Sequence, residues 1–333
     1  MSGHHVAVVT GGAGFIGSHM VDLLLDEVYA VRVIDNLSGG RRENLLHHAS
    51  NPRLHLEIGD LRDMESEDPL FKGAHYVFHF AGIGDIVPSI NRPIDYLSTN
   101  VMGTVRALEA ARRSGVEKFV YAASSSCYGL ARELPTTEAA PISPQYPYAL
   151  SKYLGEEAVL HWGQVYRLPV VSIRIFNAYG PRSRTTGAYG AVFGVFLAQK
   201  LNGKPLTVVG DGTQRRDFVF VTDLVRAFYL AAQSDRTQTV YNVGAGGPQS
   251  VNRLVELLGG EVVHVPKRPG EPECTWADVS KIRRELGWEP RVSFDEGVAE
   301  MLRQIEYWRE APVWDPASIQ EATKAWFEAL AVR

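Results

Sequence analysis

Two cysteines in 333 residues, Cys127 and Cys274, are too few for a disulfide framework and have no metal-ligand spacing. No apolar run approaches the roughly 20 residues that span a bilayer. No charged segment leads into an apolar one as a secretory leader would. A basic excess is missing as well: 34 Lys and Arg face 38 Asp and Glu, a net charge of −4 that leaves no footprint for nucleic acid. Internal repeats and low-complexity tracts are absent. Together these absences point to the cytosol and to no metal, and away from membrane and nucleic-acid partners. What is present is apolar residue in quantity, 45% of the chain, enough to bury a large core in two domains or one large one. His4-His5 carries no function in this reading.

The N-terminus is the most regular stretch. Val6-Ala7-Val8-Val9 reads as a buried parallel strand, and Gly11, Gly14 and Gly17 follow at once. Phe15, Ile16, Met20, Val21 and Leu24 then take helical spacing. The first glycine permits a tight turn, the second lets backbone approach a pyrophosphate, and the third allows close packing of helix on strand. A helix N-terminus adds free N–H groups and the positive end of its dipole. The next strand, Val31 to Ile34, ends at Asp35, whose carboxylate can accept both hydroxyls of an adenosine ribose and would repel a 2′-phosphate. NAD is therefore the expected cofactor, with Arg41 and Arg42 as the residues that speak for NADP. A glycine turn without a ligand is the bland alternative.

Strands at 54–58, 76–80, 119–122 and 170–174 alternate with helical patterns, including a long helix over 94–114 and one from Tyr148 to Tyr166. This rhythm predicts an α/β fold with a Rossmann-type doubly wound parallel sheet, whose ligands sit at the carboxyl ends of strands. Beyond residue 177 the texture changes to short strands near 207–209 and 217–220, helices near 222–233 and 250–258, and two closing amphipathic helices broken at 311–316. The expected division is a NAD-binding domain over 1–176 and a smaller C-terminal α/β substrate-binding domain over 177–333. One later segment, about 213–245, returns to the first domain.

Chemistry concentrates at Tyr148 and Lys152. Four residues apart on a helix, they lie on one face. A free tyrosine, with a pKa near ~10, is a poor base at neutral pH, and a cation alongside is expected to draw it down.

Further motifs occur in order with these. They are Asp35-Asn36, Gly59-Asp60-Leu61, His79-Phe80-Ala81-Gly82, Asn100-Val101-x-Gly103-Thr104, Ser124-x-x-Cys127-Tyr128-Gly129 and Phe176-Asn177. Later come Gly210-Asp211-Gly212, Arg216-Asp217-Phe218 and Arg268-Pro269-Gly270-Glu271. With the glycine loop and the Tyr148–Lys152 pair, they resemble the extended short-chain dehydrogenase/reductase superfamily. The likeness is to its nucleotide-sugar epimerase/dehydratase branch, and within it to UDP-glucose and UDP-N-acetylglucosamine 4-epimerases. The resemblance implies that Gly11, Gly14, Phe15, Ile16, Gly17, Asp35, Asn36, Asp60, Leu61, Phe80, Ala81, Gly82, Asn100, Tyr148 and Lys152 meet the cofactor. It implies that Ser124 holds the sugar hydroxyl that Tyr148 deprotonates, with Ser125 and Ser126 beside it. Asn177, Arg216 and Arg268 would meet the diphosphate, and Glu271 the nucleoside ribose. Each has a plainer rival: ion pairs for the two arginines, a strand-end cap for Ser124, core packing for Phe176 and Tyr179. Cys127 and His79 read as structural.

Members of this branch begin by oxidising a sugar carbon, usually C4. A 4,6-dehydratase typically carries Asp then Glu after its catalytic Ser or Thr, and a glucuronate decarboxylase carries Glu two residues on. Here Ser125 and Ser126 occupy those places, so C4 epimerisation is the expected reaction unless a displaced acid such as Asp85 or Glu133 serves. The expected substrate is a UDP-hexose. Thr275 falls where some galactose-specific epimerases carry a bulky Tyr, and the 186–190 segment resembles epimerases that accept N-acetylhexosamines. Arg182 and Arg184 speak instead for a uronate carboxylate. A non-catalytic NAD(H) sensor and a net oxidoreductase are the alternatives of other classes. Family likeness also implies a homodimer through the helices near 94–114 and 149–166, with Val101, Val105, Leu108, Leu154, Val159 and Trp162 as apolar positions.

Overall fold

A computed structural model describes residues 5–183 and 191–330. Strand β1 (Val6–Thr10) is buried along almost its whole length, which only a sheet covered on both faces allows. After the glycine turn come α1 (Phe15–Asp26), β2 (Ala30–Asp35), β3 (Leu54–Ile58) and β4 (Tyr76–His79). Next are α2 (Ile86–Asn91), α3 (Pro93–Leu97) and α4 (Gly103–Arg113). Then follow β5 (Lys118–Ser124), α5 (Pro147–Tyr166) and β6 (Val170–Ile175).

A second layer opens with β7 (Asn177–Tyr179), α6 (Val192–Leu201), β8 (Leu206–Val209), β9 (Arg215–Arg216) and β10 (Phe218–Phe220). The chain then returns to the main sheet through α7 (Val221–Gln233) and β11 (Thr239–Val243). It finishes the second layer with β12 (Gln249–Ser250), α8 (Val251–Leu258) and β13 (Val262–Val265). Helices α9 (Ser280–Leu286), α10 (Phe294–Arg303) and α11 (Pro316–Leu330) complete it.

The main sheet has seven parallel strands in the order β11-β6-β5-β4-β1-β2-β3. Strand side chains alternate between two cores. Val9, Val33 and Val120 pack with Met20 and Leu24 of α1 and Phe228 of α7. Val8, Ile34 and Phe119 pack with Leu108 of α4 and Val159 of α5. The doubly wound parallel sheet is therefore present. Its strand order reverses between β1 and β4, which opens a crevice at their carboxyl ends. The second layer has its own core, where Phe193, Phe218 and Phe220 lie 4.6 to 5.9 Å from the ring of Tyr179. No helix among the described residues is long and apolar enough to cross a membrane.

The helix expected over 94–114 is not a single α-helix. Pro93 starts α3 and forces Arg92 out of helical geometry (φ −135°, ψ 59°). Ser98–Met102 then form a π turn before α4 begins. The wide turn brings Asn100 inward, where its side chain accepts from Ile83 N at 2.8 Å and donates to Ser151 Oγ of α5 at 2.9 Å.

Candidate active site

The glycine loop has the shape of a phosphate cradle. Gly11 takes φ +68°, and a Cβ there would stand 2.7 Å from Ala81 N, so the loop presses on the backbone after β4. A Cβ on Gly17 would lie 2.2 Å from Gly11 O, which fixes how closely α1 packs on the loop. Gly14 is the N-cap of α1 and offers no side-chain cap, leaving the first-turn N–H groups of Phe15 and Ile16 toward the crevice end of the helix. At the end of β2, Asp35 accepts from Ala13 N at 2.9 Å and Leu37 N at 2.8 Å, while burial pushes its carboxyl up. Asn36 Nδ2 donates to Asp60 Oδ2 at 2.8 Å, and bonds from Arg62 hold Asp60 far below the usual carboxylate range. Leu61 is buried. Phe80 packs 4.7 Å from Phe228, and a Cβ on Gly82 would meet Asn100 Oδ1 at 2.9 Å and Lys152 Nζ at 3.8 Å. Glycines where a Cβ would fill the cradle, an uncapped helix start and a carboxylate at the β2 end fit NAD. Of the two arginines that speak for NADP, Arg41 stands 5.6 Å over the ring of Tyr307.

The reactive groups meet at the ends of β5 and α5. Ser124 Oγ lies 2.8 Å from Ser126 Oγ and accepts from Ser126 N at 3.2 Å, so it caps the turn of Ser125–Tyr128 while it lines the cleft. Pro147 at the first position of α5 sets the helix start, and Tyr148 and Lys152 follow on one face. Burial raises the Tyr148 phenol, and a hydrogen bond with Ser124 opposes that rise. The expected lowering by Lys152 is not what sets this phenol. Lys152 is itself desolvated, with its ammonium 4.4 Å over the ring of Tyr121, and burial lowers it to about 7. Below it, Glu156 and Arg174 form a buried ion pair, closed by Ser172 Oγ at 2.7 Å. His79 is buried between Thr10 and Thr104, and burial pushes the Cys127 thiol up to about 12.

From Tyr148 a cleft of about 450 Å³ runs to the second layer. Its walls include Ser124, Ser125, Ser126, Asn177, Arg216, Arg268 and Glu271. Glu271 joins the two cations, accepting from Arg216 Nη2 at 2.7 Å and lying 3.2 Å from Arg268 Nε. Thr275 Oγ1 donates to Asn177 Oδ1 at 2.7 Å. Two arginines and an asparagine facing one cleft can receive a diphosphate.

The GDP-mannose 4,6 dehydratase family matches residues 8–301 of the chain. The chain belongs to this family. It is an enzyme of the NAD-dependent epimerase/dehydratase group within the extended short-chain dehydrogenase/reductases. It is 36% identical to UDP-glucose 4-epimerase of Mycolicibacterium smegmatis, over 91% of this chain and 98% of that one. UDP-glucuronic acid decarboxylase 1 of Arabidopsis thaliana is 34% identical over 89% of this chain and 68% of that one. The solved UDP-glucuronic acid 4-epimerase of Bacillus cereus, in complex with UDP-glucuronic acid and NAD, superposes with a TM-score of 0.84 at 30% identity. That match covers 90% of this chain and 99% of the other.

In this epimerase/dehydratase the cleft also holds residues that sequence reasoning did not assign to the site. Gln145 and Tyr146 line it, and the Tyr146 ring stacks on that of Tyr148 at 6.4 Å. Their nearness to Tyr148 in the chain was the available signal. Asp85, named above as a candidate displaced acid, also lines it at φ +74°, where its charge raises the Tyr148 phenol further. Trp326 of α11 lines it with no local motif to mark it. Glu133 is exposed and outside the cleft lining. Arg182 does not line it either. Its guanidinium donates to Asp22, lies 3.0 Å from His19 Nδ1, and reaches Asn44 O at 3.2 Å. The arginine that spoke for a uronate is thus committed elsewhere, while Arg184 and the 186–190 segment lie outside the described residues. The same Asp22 meets His47 and His48 through Oδ1 at 2.8 and 2.9 Å while Arg182 takes Oδ2, and the three side chains form a grouping that could hold a metal.

Proposed function

We propose that this enzyme is a NAD-dependent 4-epimerase of a UDP-hexose, acting on the glucose/galactose pair or the N-acetylhexosamine pair through a 4-keto sugar. The observation that carries the reading is the hydroxyl-only edge formed by Ser124, Ser125 and Ser126 beside Tyr148. It offers hydrogen bonds to a sugar and no acid for expelling a C6 hydroxyl. When bound, NAD supplies the acceptor for a hydride from C4 and the donor that returns it to the other face. Tyr148 takes the C4 hydroxyl proton at its Oη and gives it back, with Ser124 orienting that hydroxyl. Lys152, beside Gly82 and Asn100, would favour the phenolate when charged and would hold the cofactor ribose. Asn177, Arg216 and Arg268 hold the diphosphate, and Glu271 is placed for the nucleoside ribose. Thr275, small and turned onto Asn177, supports room for a substituent at C2. The engagement of Arg182 by Asp22 supports a neutral hexose over a uronate.

One observation favours a second reading. Asp85 is a carboxylate in the cleft, in electrostatic reach of Tyr148, and could act as the displaced acid of a 4,6-dehydratase. The division into a NAD-binding part up to residue 176 and a mainly substrate-binding part after it belongs to the same proposal, as does a homodimer. Leu150 and Leu154 of α5 and Met102 are exposed, whereas Leu108 and Val159 are fully buried in this subunit and take no part in pairing.

An NMR time course with UDP-glucose, UDP-N-acetylglucosamine and UDP-glucuronate, without added reductant, tests the reaction. The expected result is an equilibrium mixture of C4 epimers from a neutral hexose, with the rate reduced at least about 1,000-fold in Tyr148→Phe. A 4-keto-6-deoxy product would install the dehydratase reading. Loss of CO₂ from the uronate, or turnover unchanged in Tyr148→Phe, would defeat both.

A further inference from the structure

Helix α11 lies past the stretch that the family accounts for, which ends at residue 301. Its buried side nevertheless belongs to the cleft. Ile319, Thr323 and Trp326 are buried, and Trp326, only 5% exposed, is part of the cleft wall. Three contacts fix the indole. Its Nε1–H donates to Pro269 O at 2.7 Å, the Arg268 guanidinium carbon stands 5.2 Å from the ring centroid, and the Tyr146 ring is 6.4 Å away. Leu330, one turn further, comes within 3.6 Å of where a Cβ on Gly270 would stand. One helix therefore touches the 268–271 loop at two points and, through Tyr146, the residue that stacks on Tyr148.

An aromatic face attracts a guanidinium laid over it and narrows the positions open to that long side chain. Arg268 reaches the cleft from a loop carrying Pro269 and Gly270, the latter at φ +70°, and the loop pairs with little regular structure. The loop is braced from outside by α11 instead. We propose that Trp326 is a positioning residue for the diphosphate of the substrate. It keeps the Arg268 guanidinium on the indole face and turned to the cleft, so that the anion site is formed before the nucleotide arrives. This rests on the nucleotide-sugar reading above.

Calorimetric titration of UDP, dTDP, GDP and CDP into the full-length protein tests it, with Trp326→Phe, Trp326→Leu and Trp326→Ala beside the parent. The best-bound diphosphate should lose about tenfold in affinity in the Leu and Ala variants and about twofold or less in the Phe variant, which keeps a ring face. KM should rise in step with kcat nearly unchanged. In an Arg268→Met background the same changes should move Kd by less than about twofold, because the partner they act through is gone. Should Trp326→Ala fail to fold, the Leu variant, which retains apolar volume, decides the matter. Equal affinity in folded parent and Leu variant, or an undiminished loss in the Arg268→Met background, overturns the inference and leaves the nucleotide-sugar reading standing. Binding of none of the four diphosphates to the parent overturns both.

Discussion

Lys152 is held buried beside Asn100 and over Tyr121, and burial lowers its pKa from 10.5 to about 7. Below about pH 7 folded and unfolded chains are both protonated there, and the full cost of burying the charge is present. Between about 7 and 10.5 the unfolded chain binds a proton that the folded chain does not, so this contribution to stability rises with pH. Lys152→Met keeps the length of the side chain and removes the charge. Its Tm should exceed that of the parent at pH 6, with the margin gone by about pH 10.5, while turnover falls at least about 100-fold. A variant melting below the parent at pH 6 would refute the burial cost. Tyr148, Lys152 and Ser124 were legible in the sequence because a four-residue spacing and a strand end are local facts. The direction of the Tyr148 and Lys152 pKa shifts was not, since it comes first from burial by the folded chain and, for Tyr148, also from the charge of Asp85 on another element. Asp85 was legible only as one of two spare carboxylates, with Glu133; that Asp85 and not Glu133 lines the cleft follows from the folded backbone, which takes φ +74° there.

At the scale of elements, α5 carries both Tyr148 and Lys152, and its orientation is set one turn further on. Glu156, 1% exposed, is bound by Arg174 of β6 through contacts of 2.6 to 3.1 Å, and Arg174 also donates to Tyr128 Oη at 2.8 Å. Removing one member strands a buried charge. Arg174→Met should therefore cost about 3–5 kcal/mol in urea unfolding, and adding Glu156→Leu should recover most of it. A loss under about 1 kcal/mol would mean that water reaches Glu156. The strands and helices of the main sheet were readable because their apolar runs are long enough to show a period. The π turn at 98–102 was not, because its cause is the set of partners that Asn100 finds on Ile83 and Ser151. In the second layer β8 and β10 showed as short apolar runs, whereas β9, β12 and β13, of two to four residues, carry too few positions for any period to emerge.

For the molecule as a whole, light scattering should return twice the monomer mass, and Leu154→Glu should reduce it to one without loss of fold, since Leu154 is 37% exposed on α5. A single-subunit mass for the parent would end the proposal of pairing through this helix. The main sheet is not finished when the chain first leaves it. Strand β6, buried at every position, lies between β5 and β11, and β11 arrives only after α6, β8 and β10 have been laid down elsewhere. During synthesis, then, β6 waits as an open and mostly apolar edge while some sixty more residues are made. A fragment cut after residue 176 would keep that edge for good, with its hydrogen-bonding groups offered to any other chain, and would collect as aggregate rather than survive as a free cofactor-binding module.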